Sequence, residues 1–280
     1  MELTRDPTAG FLYVPQAHRS HNGREFYQHH FYDTEKPDYL TKVLRELDYW
    51  QALAAWRLDM LARHAGHIER FLEVGSGAGV VLDQARRRGW QVRGIEPSAT
   101  AAAFAAEHFD LQFYRGFLED FSGDAFDAAY SAFVLEHVPE PRAWLHHLHK
   151  LLAPGGVMWI EVPNDFNRLQ CAAQQILEKD QWWVVPAHHV NYFDFDTLQA
   201  LLDETGFETV ARLASFPMEC FPLMGLDYVG DDAVGAQCHG MRMQFELRLL
   251  KHDPNLLHSL YANFAASGLG RSCNIIARAR

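Results

Sequence analysis

Hydrophobic residues along the chain fall into short apolar runs separated by stretches in which they recur every three or four positions. Such runs are typical of buried strands, and the spaced stretches are typical of amphipathic helices. Helices therefore alternate with strands, which predicts a mostly parallel sheet with helices on both faces. The seven runs that predict its strands are residues 68–74, 90–95, 111–114, 126–131, 157–162, 207–213 and 274–279.

The segment before this alternation has a different character. Residues 1–37 are rich in proline, histidine, glycine and aromatic residues and show little periodicity, which predicts an irregular arm. Residues 38–65 carry hydrophobic residues at helical spacing, and Gly66 is placed to end that helix.

Two stretches interrupt the alternation, residues 164–195 after the fifth strand and 216–268 before the last, and both are rich in aromatic residues and methionine. Their positions suit the cover of a pocket, but additional core or a subunit contact explains the composition equally well. We predict one folding unit with four parts. These are an N-terminal arm and helix (1–66), an α/β core (67–215), an inserted helical and aromatic cap (216–268) and the final strand of the core (269–280).

A glycine-rich turn, FLEVGSGAG from Phe71 to Gly79, joins the first predicted strand to the next helix. Glycines let a ligand approach the backbone, and a helix N-terminus offers N–H groups to it. The dinucleotide fingerprint requires its third small residue at position 80, which here is Val80. The spacing therefore argues against a nicotinamide-binding turn.

Two acidic residues accompany this turn. Glu73 ends the first strand two residues before Gly75, and Glu96 follows the second strand. A carboxylate at the second position can accept hydrogen bonds from both ribose hydroxyls of a bound nucleoside. Glu96 therefore predicts a ribose without a 2′-phosphate.

With these residues the chain resembles the class I S-adenosylmethionine-dependent methyltransferases, whose first motif is an acid followed by Gly-x-Gly-x-Gly. Three further segments resemble that family in the expected order: GFLED at 116–120, FDAAYS with VLEHV within 126–138, and LLAPGG at 151–156. Residues 186–207 resemble the branch that includes ubiquinone-pathway O-methyltransferases and methyltransferases acting on sugars. The resemblance implies a Rossmann-like fold and S-adenosylmethionine as cofactor.

The resemblance also implies roles for individual residues. Gly75 and Gly77 would lie against the methionine part of the cofactor, and Glu96 would bind its ribose. Glu73 would lie near the amino group, although capping of the turn is an alternative. Further cofactor contacts are expected from Phe117 and Leu118 beside the adenine and from Ser131 at the end of the fourth strand.

Two histidines are candidates for the acceptor side of the site. His137 follows the fourth strand at the carboxyl edge of the sheet, where such folds bind ligands, and His189 could enter from the stretch 164–195. A neutral imidazole can take a proton from a hydroxyl or an amine, so either residue could be a general base. Either could instead only position the acceptor. The sequence contains no clear aspartate and asparagine set for magnesium, so we expect no metal.

The composition and charge of the chain argue against several classes of binding partner. The chain has 280 residues and a formal net charge of −11, and an acidic surface argues against nucleic acid. It contains no apolar run of about 18 residues, so we expect no membrane insertion. The four cysteines are far apart and the first residues lack the apolar run of a signal peptide, which together favour a cytoplasmic protein.

The sequence thus predicts an enzyme that moves a methyl group from S-adenosylmethionine to a small-molecule acceptor, and a possible homodimer. The expected acceptor group is a hydroxyl of a sugar or another hydroxylated metabolite, because residues 216–230 resemble saccharide-pathway methyltransferases. Two alternatives remain open: a nicotinamide-dependent oxidoreductase on a related fold, and a non-catalytic, cofactor-binding partner subunit.

Overall fold

A computed structural model describes residues 2–19, 23–123 and 125–280. The strands are β1 (Thr4–Arg5), β2 (Leu12–Tyr13), β3 (Arg70–Val74), β4 (Gln91–Ile95), β5 (Phe113–Tyr114), β6 (Phe126–Ala132), β7 (Leu152–Pro163), β8 (Asn191–Tyr192), β9 (Phe207–Ala214) and β10 (Ser272–Ala279). The α-helices are α1 (Gly23–His29), α2 (Tyr39–Arg45), α3 (Leu47–Ala62), α4 (Val80–Arg87), α5 (Ala99–Phe109), α6 (Pro141–Leu151), α7 (Arg168–Ile176), α8 (Phe195–Glu204), α9 (Cys220–Leu223), α10 (Asp232–His252) and α11 (Pro254–Ala266).

The main sheet contains the seven predicted strands in the order β5-β4-β3-β6-β7-β10-β9. The pairs from β5 to β7 are parallel, and β10 runs antiparallel to both β7 and β9. This arrangement confirms the predicted seven-stranded, mostly parallel sheet. The chain moves outward from β3 to β5 and then returns to β6 on the other side of β3. Ligands bind at such a reversal, beyond the carboxyl ends of the strands.

Each face of the sheet has its own hydrophobic core. Side chains alternate across a strand, so Leu72 packs into one core and Phe71 into the other. Helices α6 and α8 cover the first face with residues such as Leu145 and Leu201. Helices α3, α4, α5 and α11 cover the second face, with Leu58 as a fully buried example. Burial on both faces explains why the strands read as continuous apolar runs.

The N-terminal region differs from its prediction in three respects, the first being that the expected irregular arm contains helix α1 (Gly23–His29). The helix expected over residues 38–65 is bent at Glu46 into α2 and α3. The Glu46 carboxylate lies within hydrogen-bonding distance of the indole nitrogen of Trp50, at 3.2 Å, and of the His239 ring on α10, at 3.1 Å. The expected irregular arm also contributes β1 and β2, which form a small antiparallel sheet with β8. Strands of two residues are too short to show periodicity in the sequence.

Most of the stretch 216–268 adds to the core. Helix α10 packs on α3 and α11, and α11 packs on β9. A buried carboxylate, Glu246, accepts hydrogen bonds from the hydroxyls of Tyr49 and Tyr261 and so joins these helices. None of the helices in the described ranges is long and apolar enough to cross a membrane.

An ion pair fastens the turn between β1 and β2 to α6. Arg142 donates to both carboxylate oxygens of Asp6, at 2.7 and 2.6 Å, and the amide nitrogens of Thr8 and Ala9 donate to the same carboxylate. These hydrogen bonds hold the pKa of Asp6 far below its usual 3.8, and those from Arg142 have the largest effect. Because β2 pairs with β8, this turn supports the segment that carries His189.

We expect Asp6→Asn to lower the free energy of unfolding at pH 7 by about 1.5–3 kcal/mol, the range for hydrogen bonds to a charged group. A lowered pKa in the folded state stabilises the fold above the unfolded pKa, so the difference from wild type should shrink as the pH falls below about 4. Urea unfolding across pH measures it. Asp203→Asn, which removes an exposed pair with Arg280, is the control and should change stability by less than about 0.5 kcal/mol. A difference that persists undiminished at low pH would contradict the ion-pair explanation.

Candidate functional site

A cavity of about 650 Å³ opens at the carboxyl ends of β3, β4 and β6. Its floor is the glycine turn from Gly75 to Gly79, and residues between 23 and 57, here called the N-terminal cover, form the opposite wall. None of the described residues of 164–195 or 216–268 lines it. The cover of this cavity therefore comes from the N-terminal region and not from the two inserted stretches. The aromatic residues of the N-terminal cover that line the cavity are Tyr27, Phe31, Tyr32, Tyr39 and Trp50.

The glycines of the turn are required by both conformation and space. Gly75 and Gly77 have positive φ angles of 78° and 49°, which residues with a side chain rarely adopt. A Cβ atom at Gly75 would lie 2.4 Å from Cγ2 of Val134, and one at Gly77 would lie 3.0 Å from the hydroxyl oxygen of Tyr32. The turn thus leaves bare backbone facing the cavity.

Glu96 lies beneath this turn. Its two carboxylate oxygens accept hydrogen bonds from the amide nitrogens of Gly77, at 2.8 Å, and Ser98, at 2.9 Å. Only 4% of the residue is exposed, and burial raises its pKa to about 7 although both amides lower it. Each oxygen keeps a second lone pair, so the carboxylate can still accept two hydroxyl groups from a ligand in the cavity.

Glu73 lines the cavity beside the same turn. It is buried, and its Oε2 atom has no hydrogen-bond partner among the residues described. Burial raises the pKa of this carboxyl well above its usual 4.5. An ammonium group would provide the missing partner. The residues present therefore fit S-adenosylmethionine, whose amino group and ribose hydroxyls match Glu73 and Glu96.

Phe117 and Leu118 line the opposite end of the cavity, at the start of a short 3₁₀ turn. The Arg24 guanidinium lies over the Phe117 ring, 4.2 Å from its centroid, and forms an ion pair with Asp120. Arg24 belongs to the N-terminal cover, so these contacts connect the cover to the segment predicted to lie beside the adenine.

Ser131 lies deeper than predicted. It pairs in the sheet with Val74 and Ile160, and its buried hydroxyl has no hydrogen-bond partner within the described chain. The cavity is lined instead by the next residues, Ala132 to Val134. Among them Phe133 has a positive φ of 56° and is 48% exposed. A strained, exposed aromatic residue at a cavity wall is a feature that the sequence motif does not reveal.

His137 lines the cavity from a 3₁₀ turn after β6. Its Nδ1 atom lies 2.9 Å from the carbonyl oxygen of His188. A carbonyl can only accept, so Nδ1 carries the proton and, in the neutral ring, Nε2 carries the lone pair. The His137 ring also lies 5.0 Å from Tyr27 of the N-terminal cover, between ring centroids.

The segment that carries His189 is held firmly against this turn. The amide nitrogen of Val190 donates to the carbonyl of Glu136, and the side chain of Asn191 donates to the carbonyls of Leu135 and Val138. The ring centroids of His189 and His137 are 5.1 Å apart. The structure therefore brings the two predicted histidines together, with His137 at the cavity wall and His189 behind it.

Burial disfavours the charged forms of the His189 and Glu136 side chains. Burial, and after it the nearby His137, lower the pKa of His189 to about 3, so this ring is neutral at physiological pH. Burial raises the pKa of Glu136 well above its usual 4.5. Glu136, His137 and His189 each offer one ligand atom, and these atoms lie within 4.8 Å of one another. Among the residues that the structure describes, this group of side chains could hold a metal ion, although the sequence predicts none.

The N-terminal cover is the part of the site that sequence reasoning did not assign. Its residues Tyr27, Phe31 and Tyr32 come from the segment predicted as an irregular arm. The only signal was their aromatic character, which is unusual in a solvated tail. Arg57 and Tyr130 also line the cavity, and Arg57 donates to the Tyr130 hydroxyl and to the buried carboxylate of Glu161.

Comparisons with known proteins place this geometry in a family. Residues 41–212 match the methyltransferase domain family. The chain is 30% identical over 185 residues to a ubiquinone biosynthesis O-methyltransferase of Caulobacter vibrioides, which covers 62% of this chain and 72% of the relative. An enzyme of the same description from Alkalilimnicola ehrlichii is 36% identical over 36% of this chain and 44% of its own length.

A solved structure supports the fold. A SAM-dependent methyltransferase from Archaeoglobus fulgidus has a TM-score of 0.53 and 17% identity, over 84% of this chain and 98% of the other. The match over residues 41–212 points to the methyltransferase domain family. The strand order of the sheet and the glycine turn with its two acidic residues are consistent with that family. The chain belongs to the methyltransferase domain family and is a class I methyltransferase that uses S-adenosylmethionine.

Proposed function

We propose that this enzyme methylates a hydroxyl group of a small hydroxylated acceptor, with a sugar as the expected class. The observation that carries the proposal is the state of His137. Its Nδ1–H is committed to the backbone carbonyl of His188, the ring lines the cavity, and Nε2, 3.7 Å from the Glu136 carboxylate, is the nitrogen that can accept a proton. A hydroxyl must lose its proton when its oxygen is methylated, so it benefits from such a base. The O-methyltransferase relatives support the same choice.

The cofactor half of the cavity has the groups that S-adenosylmethionine requires. We assign Glu96 to the ribose hydroxyls, Glu73 to the amino group, the bare backbone of Gly75 and Gly77 to the methionine part, and Phe117 with Leu118 to the adenine. When bound, S-adenosylmethionine supplies an electrophilic methyl group on a positively charged sulfur. The aromatic N-terminal cover keeps water from the cavity, and exclusion of water strengthens electrostatic interactions inside it.

The acceptor half has two tasks, alignment and proton removal. The residues around His137 would hold the acceptor oxygen in line with the methyl group that bound S-adenosylmethionine would supply. The hydroxyl proton then passes to Nε2 of His137. His189, neutral and clamped behind His137, would position that ring and is too weak a base to take the proton itself. Alignment of nucleophile and methyl group provides much of the remaining rate enhancement.

The experiment that tests the proposal uses S-adenosylmethionine labelled with ¹³C in its methyl group. The enzyme is incubated with a panel of monosaccharides, nucleotide-linked sugars and phenols, and products are examined by NMR and mass spectrometry. A labelled methyl ether supports O-methylation, whereas an N-methyl or C-methyl product would refute it. Absence of turnover with every member would favour a non-catalytic, cofactor-binding partner subunit. Binding of S-adenosylhomocysteine but not of NADH would remove the oxidoreductase alternative.

Glu96→Ala should weaken binding of S-adenosylhomocysteine at least tenfold, because it removes hydrogen bonds worth about 1.5–3 kcal/mol each. The pKa of Glu96 near 7 adds a pH dependence. Hydroxyl groups donate stronger hydrogen bonds to the carboxylate than to its protonated form, so wild-type affinity should fall between pH 8 and pH 6. Titration calorimetry at both values measures this. Glu107→Ala, at an exposed position of α5, is the control. Equal affinities in the Glu96 variant and wild type would rule out the ribose assignment.

Binding of S-adenosylhomocysteine alone should slow hydrogen exchange in the N-terminal cover, because that region forms a wall of the cofactor cavity. The stretch 164–193 does not line this cavity and should gain protection only when an acceptor is also bound. Mass spectrometry of proteolytic peptides resolves the two segments. Protection of 164–193 by cofactor alone, with none in the cover, would show that the cavity walls are assigned wrongly.

His137→Ala should lower turnover about a hundredfold or more while affinity for S-adenosylhomocysteine stays unchanged. His137→Gln keeps the size and hydrogen bonding of the side chain but cannot accept the proton, so it should be almost as slow. At the second histidine we expect a different result: His189→Gln should retain most of the activity and His189→Ala should lose it. Dialysis against EDTA should leave the wild-type rate unchanged, and a loss restored by a divalent cation would instead show that Glu136, His137 and His189 bind a metal. Near-wild-type rates in both His137 variants would exclude it as the base.

A further inference from the structure

The ring of Phe133 is an apolar surface at the cavity wall that the rest of the described chain leaves uncovered. Phe133 and Tyr39 are the two exposed large hydrophobic residues among the described residues that line the cavity. Tyr39 is paired with Tyr32, with ring centroids 5.9 Å apart. Phe133 is 48% exposed, forms no ring contact within the described ranges and belongs to neither hydrophobic core. Its ring is therefore available to a ligand.

The backbone holds this ring in place at a cost. The φ angle of 56° lies in the left-handed region, which is unfavourable for a residue with a side chain. The conformation is fixed from both sides: the amide nitrogen of Phe133 donates to the carbonyl of Glu161 at 2.8 Å, and Val134 packs against the glycine turn at Gly75. Neither contact involves the Phe133 ring. Backbone conformations of this kind persist mainly where a ligand site requires them.

The position of Phe133 places it on the acceptor side of the cavity. Its neighbour Val134 contacts Gly75, which we assign to the methionine part of the cofactor. The carbonyl of Val134 also accepts from the amide nitrogen of His137 at 2.9 Å, which fixes the turn that carries the proposed base. One segment of five residues thus carries the exposed ring, the contact with the glycine turn and His137. The methyl group is bound to the sulfur of the methionine part, so the ring lies near the site of transfer and not near the adenine.

An exposed aromatic ring at this position selects for the shape of the acceptor. Aromatic rings pair with one another by offset stacking. The C–H groups on one face of a pyranose ring are apolar too, and they gain free energy when an aromatic face takes them out of water. An acyclic polyol presents no flat apolar face. A cation gains less from a ring that is still half in water than from a desolvated one.

We propose that Phe133 is a specificity-determining residue and that its ring stacks on an acceptor built on a six-membered ring with one flat apolar face. The inference rests on the proposed function. A phenol and a pyranose both have such a face and carry hydroxyl groups on the ring edge. An acceptor held against Phe133 by its face presents an edge hydroxyl toward His137, four residues further along the same segment.

The test measures binding of three probes to the enzyme loaded with S-adenosylhomocysteine, by saturation-transfer NMR. Catechol represents the phenols, methyl β-glucopyranoside represents the pyranoses, and glycerol is hydroxylated without a ring. We expect at least one of the two ring probes to bind and glycerol not to bind. The ring probe that binds more tightly identifies which of the two sources the acceptor resembles.

Two substitutions separate the ring from the backbone that carries it. Phe133→Asn should weaken the bound ring probe about tenfold, because it removes the stacking face. Asparagine tolerates the left-handed region, so the melting temperature should stay equal or rise. Phe133→Tyr keeps the face and should bind the probe as wild type does. The matched control is Glu178→Asn, an exposed position with a φ of 53° that does not line the cavity, which should leave probe binding unchanged.

If Phe133→Asn lowers the melting temperature, Phe133→Leu decides, because it keeps an apolar side chain without a flat face and should still weaken the ring probe. Binding of neither ring probe, equal binding of glycerol, or ring binding that both variants leave unchanged would overturn the proposal. Affinity for S-adenosylmethionine should be unchanged, and its loss with intact probe binding would place the ring against the sulfonium instead. The methylated atom is read from the labelled product, so O-methylation can stand if this site fails, and the site can stand if O-methylation fails.

Discussion

The hydrogen bonds from Gly77 and Ser98 to the Glu96 carboxylate are the interaction on which the cofactor half of the site depends. They join the turn after β3 to the start of α5 and so fix the carboxyl ends of two strands relative to each other. The positive φ of Gly77 is maintained by this bond from below and by Tyr32 above. Val134 packs against Gly75 in the same way, which brings the end of β6 to the turn. One buried carboxylate thus holds the glycine turn in place, and the turn after β6 packs against it at the same cavity.

The same burial explains the selectivity of the cavity for charge. Glu73 and Glu96 are buried beneath an aromatic cover, and this burial raises the pKa of each. A ligand with positive charge relieves that cost, and aromatic faces attract cations as well. S-adenosylmethionine carries an ammonium group and a sulfonium, whereas the sulfur is neutral after transfer. The walls therefore suit a ligand that carries positive charge.

The sequence predicted those parts of the molecule that are specified by local pattern. Runs such as Phe71 to Val74 are buried on both faces of the sheet, so their strands could be recognised without tertiary information. The glycine turn could be recognised because its backbone geometry requires glycine. The bend at Glu46 depends on contacts with His239, almost two hundred residues away, and no local pattern reports such a contact. The N-terminal cover was missed for the same reason, because its aromatic residues pack against the site from an aperiodic segment.

The two halves of the site differ in how they are held, and this difference follows from what methyl transfer needs. The donor half is part of the sheet, so its geometry is determined by strand pairing. The segment that carries His189 belongs to an inserted stretch, which needs separate anchors to keep a fixed distance from His137. Asn191 provides one through the carbonyls of Leu135 and Val138, and Asn164 provides another through the carbonyls of Gly268 and Gly270. Alignment loses its effect when reacting atoms are misplaced by about 1 Å, so these anchors matter as much as the groups that touch the acceptor.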